Sequence, residues 1–126
     1  MISDIRKYIK EKFNEEATGH DWHHIERVEK MSLMIAEKEG GNKEIISLAA
    51  LLHDIDDHKF NGGDFDKGAE SVKVLLKQYN YSVKTINKVA SIVKTVSFKG
   101  ALVADETESL EAKIVQDADR IDAIGA

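Results

Sequence analysis

Residues 43–54 read KEIISLAALLHD, and apolar side chains occupy every side of the helix that this stretch would form. A surface helix keeps one polar face, whereas a helix that is apolar all round is buried. The pattern therefore predicts a central, buried helix. It ends on an adjacent histidine and aspartate, His53 and Asp54, so we expect it to place an imidazole and a carboxylate in the interior.

The rest of the chain carries apolar residues at helical spacing, with glycines between the segments. Further helices are predicted over residues 2–15, 21–39, 65–79, 82–96 and 108–124. Ser82 is the expected N-cap of its helix, Gly40 the expected stop of another, and residues 97–107 are expected to be irregular. Because proline, the strongest helix breaker, is absent, the sequence predicts an all-α fold, a compact bundle of about five to six helices.

The chain has 126 residues, of which 42% are apolar and 33% charged. This size and composition fit one globular domain, so we expect residues 1–126 to form a single domain. The apolar stripe of the last predicted helix still runs where the sequence stops, which favours the front portion of a longer helical domain. The same stripe could pair with a second copy to form a homo-oligomer, and the sequence leaves the oligomeric state open.

Composition also excludes several classes of protein. The absence of cysteine rules out disulfides, thiolate zinc sites and a cysteine nucleophile. A net charge of -5 argues against a nucleic-acid partner. No apolar run approaches the roughly 20 residues that cross a bilayer, and the N-terminus lacks the features of a signal peptide. We therefore expect a cytoplasmic protein without a membrane partner.

All five histidines precede residue 59. They are His20, His23, His24, His53 and His58. By helical spacing His24 and His53 point inward, and Asp119 shares the inner face of its predicted helix with Val115. Buried imidazoles and carboxylates are costly unless something compensates them, and one divalent cation would compensate four such groups at once.

The predicted metal ligands are two imidazoles and two carboxylates. They are His24, His53, Asp54 and Asp119, called here the four-residue cluster. This mixed nitrogen and oxygen set suits Mn, Fe, Co, Ni or Zn, with Mg as a further candidate, and fits Ca poorly.

Each of these residues also has an ordinary structural interpretation. A single inward histidine is usually a hydrogen-bonded core residue, and a His-Asp dipeptide is often accidental. Asp119 could instead form an ion pair with Arg27, and Asp21 could cap a helix as readily as orient His24. An all-α interaction domain without metal is therefore an open alternative.

Three phrases together resemble the HD superfamily of metal-dependent phosphohydrolases, and in particular its small bacterial stand-alone proteins. They are GHDWHHIERV at 19–28, LAALLHDI at 48–55 and IVQDADRIDAIGA at 114–126. The order of a histidine, a His-Asp pair and a distant aspartate matches the family's metal ligands at the four-residue cluster. The resemblance covers roughly residues 17–126, and domains of this family normally continue past the third phrase.

The resemblance implies further roles. Asp57 matches an acid that assists proton transfer, and Arg27 and Lys99 match basic positions that hold substrate phosphates. Residues 59–118 lack the additional histidines of two-metal relatives, which implies one metal per chain. The implied function is hydrolysis of a nucleotide or related phosphate ester or anhydride by a metal-activated water. The alternative is a metal-stabilised HD-type binding or signalling module that has lost catalysis.

Overall fold

A computed structural model describes residues 2–15, 22–55, 66–101 and 109–125. Within these ranges the chain forms six α-helices and no strand, which confirms the all-α prediction. The helices are α1 (Ile2–Glu15), α2 (Trp22–Glu39), α3 (Lys43–Leu52), α4 (Asp66–Gln78), α5 (Val83–Ala101) and α6 (Leu110–Gly125). None of the described helices is long and apolar enough to span a bilayer.

Helix α3 lies at the centre of the bundle, as its composition predicts. Every residue from Ile45 to Leu52 is buried, and the helix packs against α1, α2, α5 and α6. Fully burying one such aliphatic side chain contributes about 1.5–3 kcal/mol. Hydrophobic packing therefore fixes α3 in the interior and places the residues that follow its C-terminus, beginning with His53, inside the protein.

A tight turn joins α2 to α3. Gly40 and Gly41 adopt φ angles of 92° and 99°, which glycine accepts at little cost because it has no Cβ. The Gly40 N–H donates to the carbonyl of Ala36 at 2.8 Å, so α2 stops at the predicted glycine. Asn42 then caps α3 by accepting a hydrogen bond from the Ile45 N–H at 3.1 Å.

A buried carboxylate on α2 connects three helices. Glu29 is 4% exposed and accepts two hydrogen bonds from Arg6 of α1, at 2.6 and 3.3 Å. It also accepts a hydrogen bond from the Ser47 hydroxyl of α3. Because a buried charge is tolerated only when it is paired and hydrogen-bonded, this network fixes how α1 and α3 pack against α2.

Several helix ends lie one to five residues from their predicted positions, among them the C-terminal ends of α5 and α3. Helix α5 continues to Ala101, five residues beyond the predicted end at 96, because an isolated Gly100 costs a helix only about 1 kcal/mol relative to alanine. Helix α3 ends at Leu52 instead of residue 54, and residues 53–55 form a turn. At the start of α5 the Ser82 hydroxyl accepts from the Thr85 N–H at 3.2 Å, which confirms the predicted cap.

Candidate metal centre

Three separate helices bring the four-residue cluster together. His24 lies in the first turn of α2, His53 and Asp54 follow the end of α3, and Asp119 lies on α6. One potential ligand atom from each of His24, His53 and Asp119 lies within 4.8 Å of the other two. Asp54 Oδ2 adjoins both imidazoles, 3.6 Å from His24 Nε2 and 3.4 Å from His53 Nε2.

The spacing of these atoms fits ligands of a common ion. Asp119 Oδ1 lies 3.2 Å from His24 Nε2 and 3.3 Å from His53 Nε2. Ligands about 2.1 Å from one ion would stand about 3.0 Å apart along an octahedral edge and about 3.4 Å apart in a tetrahedron. The observed separations between imidazole nitrogens and carboxylate oxygens are of this size.

The hydrogen bonding of His53 determines which of its ring nitrogens is available to a ligand. Its Nδ1 lies 2.7 Å from the carbonyl oxygen of Ala50, and since a carbonyl only accepts, Nδ1 carries a proton. The opposite nitrogen, Nε2, is buried and has no hydrogen-bond partner among the described residues. A buried polar atom left without a hydrogen bond is costly. Metal-binding histidines donate their other ring N–H to an acceptor in this way, which leaves the lone pair of the opposite nitrogen for the ion.

The electrostatics favour a positive charge between the two imidazoles. Burial lowers the pKa of His53, but the charges of Asp54 and Asp119 outweigh burial and raise it to about 9. Burial raises the pKa of Asp119, but the two imidazoles hold it well below its usual range. A hydrogen bond to Asp119 raises the pKa of His24. The contacts of His53 with Asp54 and Asp119, together with its hydrogen bond to the Ala50 carbonyl, therefore outweigh the effect of burial.

Sequence reasoning missed Asp122, one turn beyond Asp119 on α6. Asp122 Oδ2 lies 2.7 Å from His24 Nδ1, and Asp122 accepts hydrogen bonds from Arg27 Nε at 2.6 Å and Nη2 at 3.2 Å. The Arg27 hydrogen bond holds the pKa of Asp122 below its usual value. The i, i+3 spacing of Asp119 and Asp122, and likewise of His24 and Arg27, places each pair on one helix face and was the available signal.

Of the other predicted site residues, some are described by the structure and some lie outside the described ranges. Arg27 is half exposed, with 51% of its side chain accessible, and its Nε lies 2.6 Å from Asp122 Oδ1. Lys99 lies on α5, but its side chain is outside the described part of the chain, and so is all of Asp57. His23 is exposed and lies 3.9 Å from Glu26. His20, Asp21 and His58 also lie outside the described residues.

Comparisons with known proteins agree with this architecture. A family model for the HD domain matches residues 21–124. The chain is 37% identical over 130 residues to YpgQ, an uncharacterised protein of Bacillus subtilis, and the match covers 100% of this chain and 62% of YpgQ. The chain therefore spans less than two thirds of the length of that relative.

Solved structures share the fold. An HD superfamily hydrolase from an uncultured Thermotogales bacterium matches with a TM-score of 0.80 and 31% identity over 99% of this chain and 70% of its own. One from Bacillus thuringiensis matches with a TM-score of 0.75 and 35% identity over 98% of this chain and 60% of its own. YpgQ, solved in complex with ADP, matches with a TM-score of 0.71 and 29% identity over 98% of this chain and 60% of its own. With the family model matching most of its length, the chain belongs to the HD superfamily and has the fold of the HD superfamily hydrolases.

Proposed function

We propose that this chain is a phosphohydrolase that uses one divalent transition-metal ion to hydrolyse a nucleotide or a related phosphate ester or anhydride. The four-residue cluster would supply the metal ligands. The observation that carries the proposal is the buried Nε2 of His53, which has no hydrogen-bond partner among the described residues and faces two carboxylates. Membership of a superfamily whose hydrolases have this fold supports the reaction class, and the ADP bound by YpgQ supports a nucleotide ligand.

The donor set selects the kind of ion. Two imidazole nitrogens with two carboxylate oxygens suit Mn, Fe, Co, Ni or Zn, and manganese is the ion we would supply first in an assay. When bound, such an ion supplies Lewis-acid chemistry at phosphorus and a water whose pKa is lowered toward neutrality.

The side chains around the cluster would bind substrate and move protons. Asp57 would take a proton from the attacking water or give one to the leaving oxygen. Arg27 and Lys99 would offset the negative charge of the phosphates. The half-exposed position of Arg27, three residues after His24 on α2, suits contact with an anionic substrate.

Elemental analysis and phosphate release test the proposal together. Natively expressed protein should contain about one transition-metal ion per chain and should release phosphate from at least one member of a nucleotide panel with added Mn²⁺. His53→Ala and Asp54→Ala should lose both the metal and the activity. His23→Ala is the matched control, because His23 neighbours His24 on α2 but its side chain is 76% exposed, and it should retain both.

Three outcomes would contradict this function. Wild-type protein that holds no metal after loading, or metal-free protein that hydrolyses nucleotides as fast as loaded protein, would exclude a metal-dependent reaction. Stoichiometric metal without phosphate release from any nucleotide would exclude the hydrolase and favour the non-catalytic HD-type module.

A further inference from the structure

Asp122 belongs neither to the four-residue cluster nor to the residues proposed to bind substrate. It lies on α6, its side chain is 11% exposed, and its carboxylate faces the side of the His24 ring opposite the cluster. We propose that Asp122 is a positioning residue of the metal centre, which holds His24 in the Nδ1–H tautomer so that Nε2 faces the other ligands. This inference rests on the proposed metal-dependent function.

The contact to His24 determines which nitrogen can bind a metal. A carboxylate only accepts hydrogen bonds, so the 2.7 Å contact to Asp122 Oδ2 requires that Nδ1 of His24 donates. A neutral imidazole protonated at Nδ1 carries its lone pair on Nε2. That nitrogen is the one 3.2 Å from Asp119 Oδ1 and 3.6 Å from Asp54 Oδ2. Asp122 therefore acts through His24 and is not a fifth ligand.

Arg27 holds Asp122 in place. Its Nε and Nη2 donate to the two carboxylate oxygens at 2.6 and 3.2 Å, a bidentate and charge-assisted arrangement. His24 and Arg27 lie three residues apart on one face of α2, and Asp122 reaches both from α6. The three side chains thus form a closed set of contacts between two packed helices, which restricts rotation of the His24 ring.

The two histidines of the cluster are oriented by different means. His53 donates from Nδ1 to the main-chain carbonyl of Ala50, so no side-chain substitution removes its acceptor. His24 donates to a side chain, and substitution of Asp122 should disturb His24 while leaving His53 in place. A carboxylate acceptor also makes the imidazole a more basic ligand than a carbonyl acceptor does, so Asp122 should strengthen the metal bond at His24.

The experiment compares three variants of the full chain by calorimetric titration with Mn²⁺ alone. Asp122→Ala should weaken Mn²⁺ binding by about 10- to 100-fold, the usual effect of removing the partner of a ligating histidine. Asp122→Asn keeps an oxygen acceptor and should lose less. Asp117→Ala is the matched control, since Asp117 is an exposed aspartate on the same helix, and it should bind Mn²⁺ like the wild type.

A spectroscopic readout separates positioning from a general effect on folding. In Zn²⁺-loaded wild type the Nδ1–H proton of His24 should give a slowly exchanging, downfield NMR signal because it is hydrogen-bonded to Asp122. Asp122→Ala should lose this signal while the corresponding His53 signal persists. If Asp122→Ala does not fold, Asp122→Asn decides: its His24 signal should move upfield and its Mn²⁺ affinity should fall.

The possible failures are distinguishable. A wild type that binds no Mn²⁺ would overturn the proposed function, and this inference with it. A wild type that binds Mn²⁺ while Asp122→Ala binds within twofold of it and keeps the His24 Nδ1–H signal would overturn the positioning role alone. For Asp122→Asn, an unchanged Mn²⁺ affinity together with an unchanged His24 chemical shift would likewise overturn the positioning role alone.

Discussion

A metal ion that binds between the two imidazoles must displace protons, so its affinity should depend steeply on pH. The charges of Asp54 and Asp119 outweigh the effect of burial and raise the pKa of His53 to about 9. Metal-free protein at pH 7 therefore carries a second proton on this imidazole, at Nε2. That proton must leave before Nε2 can bind a metal. The pKa of His24 is raised as well, which adds to the dependence.

The magnitude follows from the pKa of His53. At pH 7 only about 1% of a group with a pKa of about 9 is deprotonated, which weakens metal binding about 100-fold, or about 3 kcal/mol. At pH 8.5 about 24% is deprotonated. The apparent Mn²⁺ affinity should therefore rise about 25-fold between these two pH values through His53 alone.

Calorimetric titration with Mn²⁺ at pH 7 and pH 8.5 measures both the affinity and the protons released. Repeating each titration in two buffers with different heats of ionisation gives the number of protons, which should be at least about one per ion at pH 7. The exposed His23→Ala variant should show the same pH dependence as the wild type. Equal affinity at the two pH values, with heats independent of the buffer, would refute the assigned charge state of His53.

The raised pKa of His53 also makes the metal-free protein less stable as the pH rises, whereas the affinity for Mn²⁺ increases. A raised folded-state pKa means that the attraction between His53 and its carboxylates stabilises the fold fully below the ordinary value of 6.5 and is lost as the pH rises through about 9. Over this interval the metal-free protein should become easier to unfold in urea. Protein in excess Mn²⁺ should become harder to unfold, because the ion binds only the folded state and binds it more tightly at high pH.

Two further predictions concern the packing that supports the centre. Glu29→Ala should lower the free energy of unfolding by about 2–4 kcal/mol, because it removes a buried acceptor that Arg6 contacts twice. Urea unfolding measures this change. A loss below about 0.5 kcal/mol, which is typical of surface positions, would contradict the prediction. Gly41→Ala should destabilise more than Gly40→Ala in thermal unfolding, since both glycines have positive φ but only at Gly41 would a Cβ lie 3.1 Å from Ile46 Cδ1. We expect at least about 1 kcal/mol at Gly41, and equal losses at the two positions would show that the contact with Ile46 has no effect.

The sequence predicted features that depend on local periodicity. The burial of α3 followed from its apolar residues on all sides, and the inward direction of His24 and His53 followed from the faces of their helices. The structure brings these histidines close to Asp54 and Asp119, the set that the resemblance to the HD superfamily implied. Whether the four side chains bind a metal stays a prediction that the titrations above test.

The sequence did not reveal contacts that depend on how distant helices pack. Asp122 and His24 are separated by 98 positions, and periodicity within α6 shows only which face carries Asp122, not what lies opposite. The pairing of Arg27 with Asp122 was missed for the same reason. The extension of α5 to Ala101 was missed because a single glycine near a helix end is compatible with either a stop or continuation.

The separation between α2 and α6 along the chain has a consequence for how the protein is made. Arg27 and Asp122 stand 95 positions apart, and Asp119 lies on the same late helix. Helices α2 and α3 emerge from the ribosome long before α6. The nascent chain therefore exposes His24 and His53 while two of the three carboxylates beside them, Asp119 and Asp122, have yet to be synthesised. The complete pocket can therefore arise only after translation has passed α6, and a metal ion captured earlier would have to be held by an incomplete set of side chains.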